Sequence, residues 1–222
     1  MITTDFHSHI MPRLDHGSDS METSLFQLNL AKSAGIKTIV ATSHFYPHRH
    51  SAVAFIEARK IAYEALCDEW KDDALKIVPA AEILLCERLD TLPELSELAV
   101  RNTKNLLIEL PMNGFSSRHI DAVSGMLDKG YKVVLAHPER FARTDIESLI
   151  ALGAKLQLNA AALSSLFIKS HVKEWISRNL VTALGSDIHM LDKNAYKRFL
   201  KAAERLESMD ANINQKINSI FE

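Results

Sequence analysis

Cysteine is scarce in this chain of 222 residues: there are only Cys67 and Cys86. Two thiols cannot staple a disulfide scaffold. Nor do they form a thiolate phosphatase loop, because Asp73 and Leu92 stand where a Cys-x5-Arg loop would place its arginine. A nucleophilic thiolate needs electropositive surroundings, so both cysteines are read as structural. Neither sign of charge is in excess: 26 Lys and Arg against 28 Asp and Glu leave a net charge of −2 with histidine neutral, and the isoelectric point is about 6.6. That balance offers no basic face for nucleic acid or an anionic membrane. The chain also lacks an apolar run long enough to span a bilayer and a basic-then-apolar N-terminal segment, so no membrane insertion and a cytoplasmic location are expected. No Pro/Gly/Ser-rich linker or low-complexity tract divides it.

The composition that remains, 47% hydrophobic and 24% charged, is that of a globular chain. Apolar, β-prone runs at 2–4, 36–41, 76–81, 105–109, 131–136, 155–158 and 181–184 alternate with helical patterns. The helical stretches fall at about 18–34, 52–70, 87–100, 117–129, 145–152 and, for the most part, 160–179. From about residue 194 the tail is charged and amphipathic, with two helices expected. Strands that are nearly continuously apolar and alternate with helices imply a parallel sheet covered by helices. A doubly wound sheet would want a glycine-rich phosphate loop after its first strand. Here that position holds His7-Ser8-His9. The expected fold is therefore an α/β barrel, one domain over 1–222 with the helical tail included.

Histidine, by contrast, is plentiful, with 10 residues. Strand alternation puts His7 and His9 on one face, with Asp5 in register behind them. Two imidazoles at one strand end can chelate a cation that a nearby carboxylate helps to hold. His44, Glu82, Glu109, His137, Asp187 and His189 also fall at or just past expected strand ends, the end where parallel barrels carry their active sites. Imidazole and carboxylate without thiolate suit Mn, Fe, Zn or Mg in a catalytic role rather than a closed structural zinc. So many donors exceed one ion's needs and suffice for two or three. Multi-ion sites activate water near neutral pH and support displacement at phosphorus.

Asp5-Phe6-His7-Ser8-His9, Asp15-His16-Gly17-Ser18, Thr42-Ser43-His44, Ala81-Glu82, Ile108-Glu109, Ala136-His137-Pro138-Glu139-Arg140 and Ser186-Asp187-Ile188-His189 resemble the motifs of the polymerase and histidinol phosphatase (PHP) family. Within it, their order and the His-Pro-Glu-Arg segment are similar to the bacterial protein-tyrosine phosphatases of capsular and exopolysaccharide operons. The resemblance covers about 1–192. It implies a distorted seven-stranded TIM-like barrel and a manganese-dependent site of three ions. It also implies dephosphorylation of a bacterial tyrosine kinase at its C-terminal tyrosine cluster. By motif, the ligands would be His7, His9, His44, Glu82, Glu109, His137, Asp187 and His189, plus one residue of the Asp15-His16-Gly17 turn. The family usually has two acids before that glycine; here the second is His16, so either His16 or Asp15 takes the role, with His16 preferred. The rival readings are a histidinol phosphate-like small-molecule phosphatase and a non-catalytic metal-binding module that docks a kinase.

Arg140, just past the fifth strand, is expected to be catalytic and to clamp phosphate oxygens, since a guanidinium matches phosphate geometry; its alternative is a surface pair with Glu139 or Asp145. Arg118 is a weaker substrate-binding candidate. Lys193 stands near where relatives carry an arginine, with a point charge in place of a fork. His48, Arg49 and His50 either line the mouth or are solvated. His119 and His171 are read as structural, and Phe55, Tyr63, Leu66 and Trp70 as helix packing.

Overall fold

The apolar runs become seven parallel strands in a computed structural model that describes residues 1–221. These are β1 (Thr4–Ser8), β2 (Thr38–Phe45), β3 (Lys76–Leu84), β4 (Asn105–Glu109), β5 (Lys132–Ala136), β6 (Lys155–Asn159) and β7 (Val181–Gly185). Each pairs with the next in chain order. The ring closes through the extension of β7, where the Asp187 N–H donates to His7 O at 2.8 Å and the His9 N–H to Ile188 O at 3.2 Å. The result is a nearly closed, irregular barrel.

Helices α1 (Met21–Ser33), α2 (Ala52–Glu69), α3 (Leu95–Leu98), α4 (Ser117–Asp128), α5 (Arg143–Leu152), α6 (Ala160–Ser164) and α7 (Ser170–Ser177) connect the strands, and α8 (Ala195–Met209) with α9 (Ile213–Asn218) forms the tail. Hydroxyl caps start two of them: Ser20 Oγ accepts from the Thr23 N–H at 3.1 Å and Ser51 Oγ from the Ala54 N–H at 3.2 Å. The long helix expected over 87–100 does not form. Pro93 interrupts it, leaving a 3-10 turn at Leu89–Thr91 and the short α3.

Two cores result. Between sheet and helices, residues such as Leu28, Phe45, Leu66, Trp175 and Phe199 are fully buried; each such side chain stabilises the fold by roughly 1.5–3 kcal/mol. Inside the barrel, Phe6, Val40, Val78, Leu107, Val134 and Ala183 form an apolar floor, joined by Ile220 from the tail. Above this floor the interior turns polar.

The transition depends on an irregularity in β1. Asp5 pairs with Ile39 and Ser8 with Ala41, so three steps on β1 match two on β2. Such a bulge re-aims side chains. It lets Phe6 join the floor while His7 and His9 join the polar layer. Asp5 is buried beneath the histidines, its carboxylate accepting from the His7 N–H at 3.3 Å, the Ser186 N–H at 2.8 Å and the Tyr196 hydroxyl at 2.8 Å.

Candidate metal centre

Strands β2 and β3 run further than their apolar cores suggest, so His44 and Glu82 lie within them, paired in register. Glu109 ends β4, and His137 follows β5. His137 (φ 32°) and Asp187 (φ 52°) occupy left-handed backbone, a strained conformation that clusters at functional sites and costs of order 1–3 kcal/mol per residue.

Glu82, fully buried, is the hub. One oxygen lies 2.7 Å from His137 Nε2; the other lies 3.2 Å from His7 Nε2, 3.2 Å from His9 Nε2 and 3.0 Å from His44 Nδ1. Asp187 Oδ1 is 3.4 Å from His9 Nε2 and 3.7 Å from His7 Nε2. Glu109 closes the opposite side, 3.9 Å from His44 Nδ1 and 3.8 Å from His137 Nε2. The His189 ring stacks 4.2 Å from that of His9, and His16 stacks on His44 at 4.8 Å. All nine expected ligands therefore meet at the C-terminal mouth of the barrel.

The donor set fits a bound cation. His9, His44 and His189, then His7, His9 and Glu82, then His44, Glu82 and Glu109 form three groups whose ligand atoms lie within 4.8 Å of one another. His44 Nδ1, Glu82 Oε2 and His137 Nδ1 are buried without a hydrogen-bond partner, so the short approaches of His44 and Glu82 lack hydrogen-bond geometry. His7 Nε2 and His9 Nε2 are 3.0 Å apart, a spacing suited to two nitrogens sharing one ion at about 2.1 Å each.

Supporting contacts aim these donors. Gln157 Oε1 lies 2.8 Å from His7 Nδ1 and accepts from the His137 N–H at 3.2 Å. Asp15 Oδ2 holds His9 Nδ1 at 2.9 Å and the His44 N–H at 2.8 Å, while its Oδ1 accepts from the Gly17 N–H at 2.8 Å. Asn159 Nδ2 donates to Asp187 Oδ2 at 2.8 Å. Partners of this kind fix imidazole orientation and ligand basicity. Two glycines permit the crowding: a Cβ on Gly17 would fall 1.9 Å from His9 Cβ, and one on Gly185 2.4 Å from His7 Cβ.

The charges are strongly coupled. Burial pushes His44 down to about 3 and His189 to about 4, with His9 adding to both. Burial opposes the charged forms of His7 and His9 as well, but their carboxylate neighbours outweigh it and hold both above the ordinary histidine range. Burial and the charge of Glu82 push Glu109 up to about 7. For Asp187, burial acts upward, yet His7 and His9 hold it below the usual carboxylate range.

Of Arg140, Arg118 and Lys193, Arg140 contacts a side chain of the centre. Half-exposed, it pairs with Asp187 rather than with Glu139 or Asp145. Arg118 instead pairs with Glu87 at 2.9 Å on the exposed rim, and Lys193 is exposed with no partner among the described residues. His119 Nδ1 accepts from the Ser116 N–H at 3.1 Å in a helix cap, and His171 packs edge-on to Trp175, so both are structural. Burial, then Glu87, raises the Cys86 thiol, against a thiolate role. Gln157 and Asn159 went unmarked in the sequence, although a glutamine inside an apolar strand is itself a signal of a buried polar task.

Fold and site define a β/α barrel of the metal-dependent hydrolase type, with its metal-capable cluster at the strand C-termini. The chain belongs to the capsular polysaccharide synthesis CpsB/CapC family, whose model matches residues 3–219. It is 30% identical over 210 residues to the tyrosine-protein phosphatase CpsB of Streptococcus pneumoniae, covering 85% of this chain and 83% of that one. To the tyrosine-protein phosphatase YwqE of Bacillus subtilis it is 28% identical over 196 residues, covering 83% and 76%. A crystal structure from work on YwqE and CpsB, described as metal-dependent tyrosine phosphatases, superposes with a TM-score of 0.80 at 25% identity, over 98% of this chain and 94% of that one.

Proposed function

We propose that the protein is a metal-dependent protein-tyrosine phosphatase. The observation that carries this reading is a buried knot of imidazoles and carboxylates with unpartnered donors, on a chain that aligns over most of its length with tyrosine phosphatases. No helix among the described residues is long and apolar enough to cross a membrane. We place the enzyme in the cytoplasm, acting on the phosphorylated C-terminal tail of a tyrosine kinase of polysaccharide synthesis.

His7, His9, His44, Glu82, Glu109, His137, Asp187 and His189 are the ligands in this reading, holding three ions, with manganese the first choice over Fe, Zn or Mg. His16 is the ninth ligand, because Asp15 already carries three hydrogen bonds and serves to orient His9. Bound ions of this kind activate water near neutral pH and stabilise charge at phosphorus. Arg140, fixed through Asp187 at the rim, offers its remaining N–H groups to non-bridging phosphoryl oxygens. Glu82, Glu109 and Asp187 balance the charge of bound cations, and the closed barrel floor excludes water from below. The leaving phenol has a pKa of about 10, so cations held by these ligands would stabilise its developing charge and do much of a general acid's work.

The test is phosphate release from a phosphotyrosyl peptide by protein stripped with chelator and then reloaded. Activity should vanish on stripping and return with manganese. Activity that survives stripping, or turnover of histidinol phosphate in preference to the peptide, would contradict the reading. For His16, metal occupancy against pH separates the alternatives. His16→Ala should hold fewer ions than the parent, while His16→Asp should keep them at lower pH, because a carboxylate yields to protons later than an imidazole. Equal occupancy in His16→Ala across the range would return the role to Asp15.

A further inference from the structure

On its His16 side the centre opens into a cavity of about 550 Å3, walled by Arg13, His16, His44, Tyr46, Arg49 and Phe55 among others. A second cavity of about 530 Å3 continues it. Arg13, Leu14 and Ala58 line both, and the far part is mostly apolar, with Pro12, Met21 and Ile61. Together they make one trough along α2, leading away from the metal centre.

Its charge is uneven along its length. The near end carries the guanidinium groups of Arg13 and Arg49, and its one carboxylate, Asp15, is committed to His9 and two backbone N–H groups. Arg13 Nε reaches only the carbonyl of Asp19 at 3.4 Å; Arg49 lies 5.1 Å over the Tyr46 ring, with its Nε 3.3 Å from His48. Neither is ion-paired among the described residues, a state shared with Arg59, Arg88, Arg101 and Arg205, but of these six only Arg13 and Arg49 line the trough. Tyr46 in turn stacks on His44 at 5.1 Å and 16°, so Arg49 is braced against a side chain of the centre itself. Glu22 lines the apolar cavity together with Arg13 and feels its charge, so the guanidinium with no acid in its cavity apart from the committed Asp15 is that of Arg49.

We propose that this trough binds the polypeptide flanking the phosphotyrosine, with acidic residues next to the phosphotyrosine at Arg13 and Arg49 and apolar residues further along against Leu14, Met21 and Ile61. The proposal rests on the phosphatase reading and adds a substrate preference to it. A peptide anchored at the centre by its phosphoryl group must leave across the rim, and this opening joins the centre at His16 and His44. Two unpaired guanidinium groups within a few residues of the anchor favour carboxylate neighbours.

The test compares kcat/KM of the metal-loaded enzyme for three substrates: a phosphotyrosyl peptide flanked by Asp and Glu, the same peptide with Asn and Gln in their place, and p-nitrophenyl phosphate, which has no flanks. The parent should prefer the acidic peptide, and that preference should shrink as salt is raised. In Arg13→Glu with Arg49→Glu, the ratio of acidic-peptide to aryl-phosphate turnover should fall roughly ten-fold, mainly through KM, as expected for two exposed charge contacts reversed. Ile61→Asp, at a position 59% exposed, should lower the same ratio when the peptide carries a distal leucine. An unchanged ratio in the double variant, or a parent indifferent to flanking charge, overturns the trough while leaving the phosphatase reading intact. A parent that hydrolyses the aryl phosphate but neither peptide overturns both.

Discussion

The lower and upper halves of the barrel interior are built on the same strands and obey opposite rules. Below, Phe6, Val40, Val78, Leu107, Val134 and Ala183 close on one another with no polar atom among their side chains. Above, His7, His9 and Glu82 are just as buried, yet donors such as Glu82 Oε2 and His44 Nδ1 lack hydrogen-bond partners. A buried polar group left unpaired costs about 1–3 kcal/mol, and the left-handed backbone at His137 and Asp187 adds strain. The lower half stabilises the frame, and the upper half draws on that stability to hold donors apart until a cation satisfies them. Binding free energy then returns as folding free energy.

The largest effect should come from breaking the upper half alone. His7→Ala with His9→Ala should lose bound metal and at least about a thousand-fold in activity while staying folded by circular dichroism. Full occupancy with normal turnover in that variant would remove the basis for the centre. The reciprocal change, Phe6→Ala, should cost about 3–5 kcal/mol in urea unfolding yet leave metal per folded molecule unaltered. Gly185→Ala probes the join between the halves, since its Cβ would meet His7 Cβ at 2.4 Å and Gln157 Nε2 at 2.6 Å. Metal affinity should drop about 10- to 100-fold, the range seen when a ligand's orienting partner is disturbed; an unshifted titration would show that His7 tolerates the displacement.

A smaller effect concerns protons. His7 and His9 are held above the ordinary histidine range by their carboxylate neighbours despite burial, and Glu109 is pushed up to about 7 by burial and Glu82. Glu109, at about 7, carries part of a proton near neutral pH that a cation must displace. Loading manganese at pH 7 in weak buffer should therefore release protons, and affinity should rise with pH through that region. Asp15→Asn, which removes a charge facing His9, should reduce the release; loading without any release would contradict the assignment. The smallest effect is reserved for the thiols. Cys67→Ser with Cys86→Ser should stay within about two-fold of parental activity, because neither thiol lies in an electropositive surrounding.

Much of this was legible in the sequence because each strand ends in a chemically distinct residue, so the polar layer could be read as a row of strand termini. The bulge in β1 was not legible. Nothing in Asp5-Phe6-His7-Ser8-His9 marks the slipped pairing with β2, nor that Tyr196, far along the chain, holds the other oxygen of Asp5. Strand lengths were hidden for a related reason: His44 and Glu82 read as chain leaving a strand, but both sit within the ladder. The helix expected over 87–100 runs through Pro93, which breaks it into a 3-10 turn and the short α3. The pairing of Arg118 with Glu87 could not be read from its place at a helix start, because Glu87 lies 31 residues away in the chain. The roles of Gln157 and Asp15 depend on which imidazole nitrogen they face, a relation between residues far apart in space that no spacing along the chain encodes.

The most direct test of the metal centre is diffraction at the manganese absorption edge from crystals grown with manganese. The expected result is more than one anomalous peak among His7, His9, His44, Glu82, Glu109, His137, Asp187 and His189, with His16 bonded to one of them. The absence of any peak among these side chains, in crystals of enzyme active with manganese, would contradict the assignment.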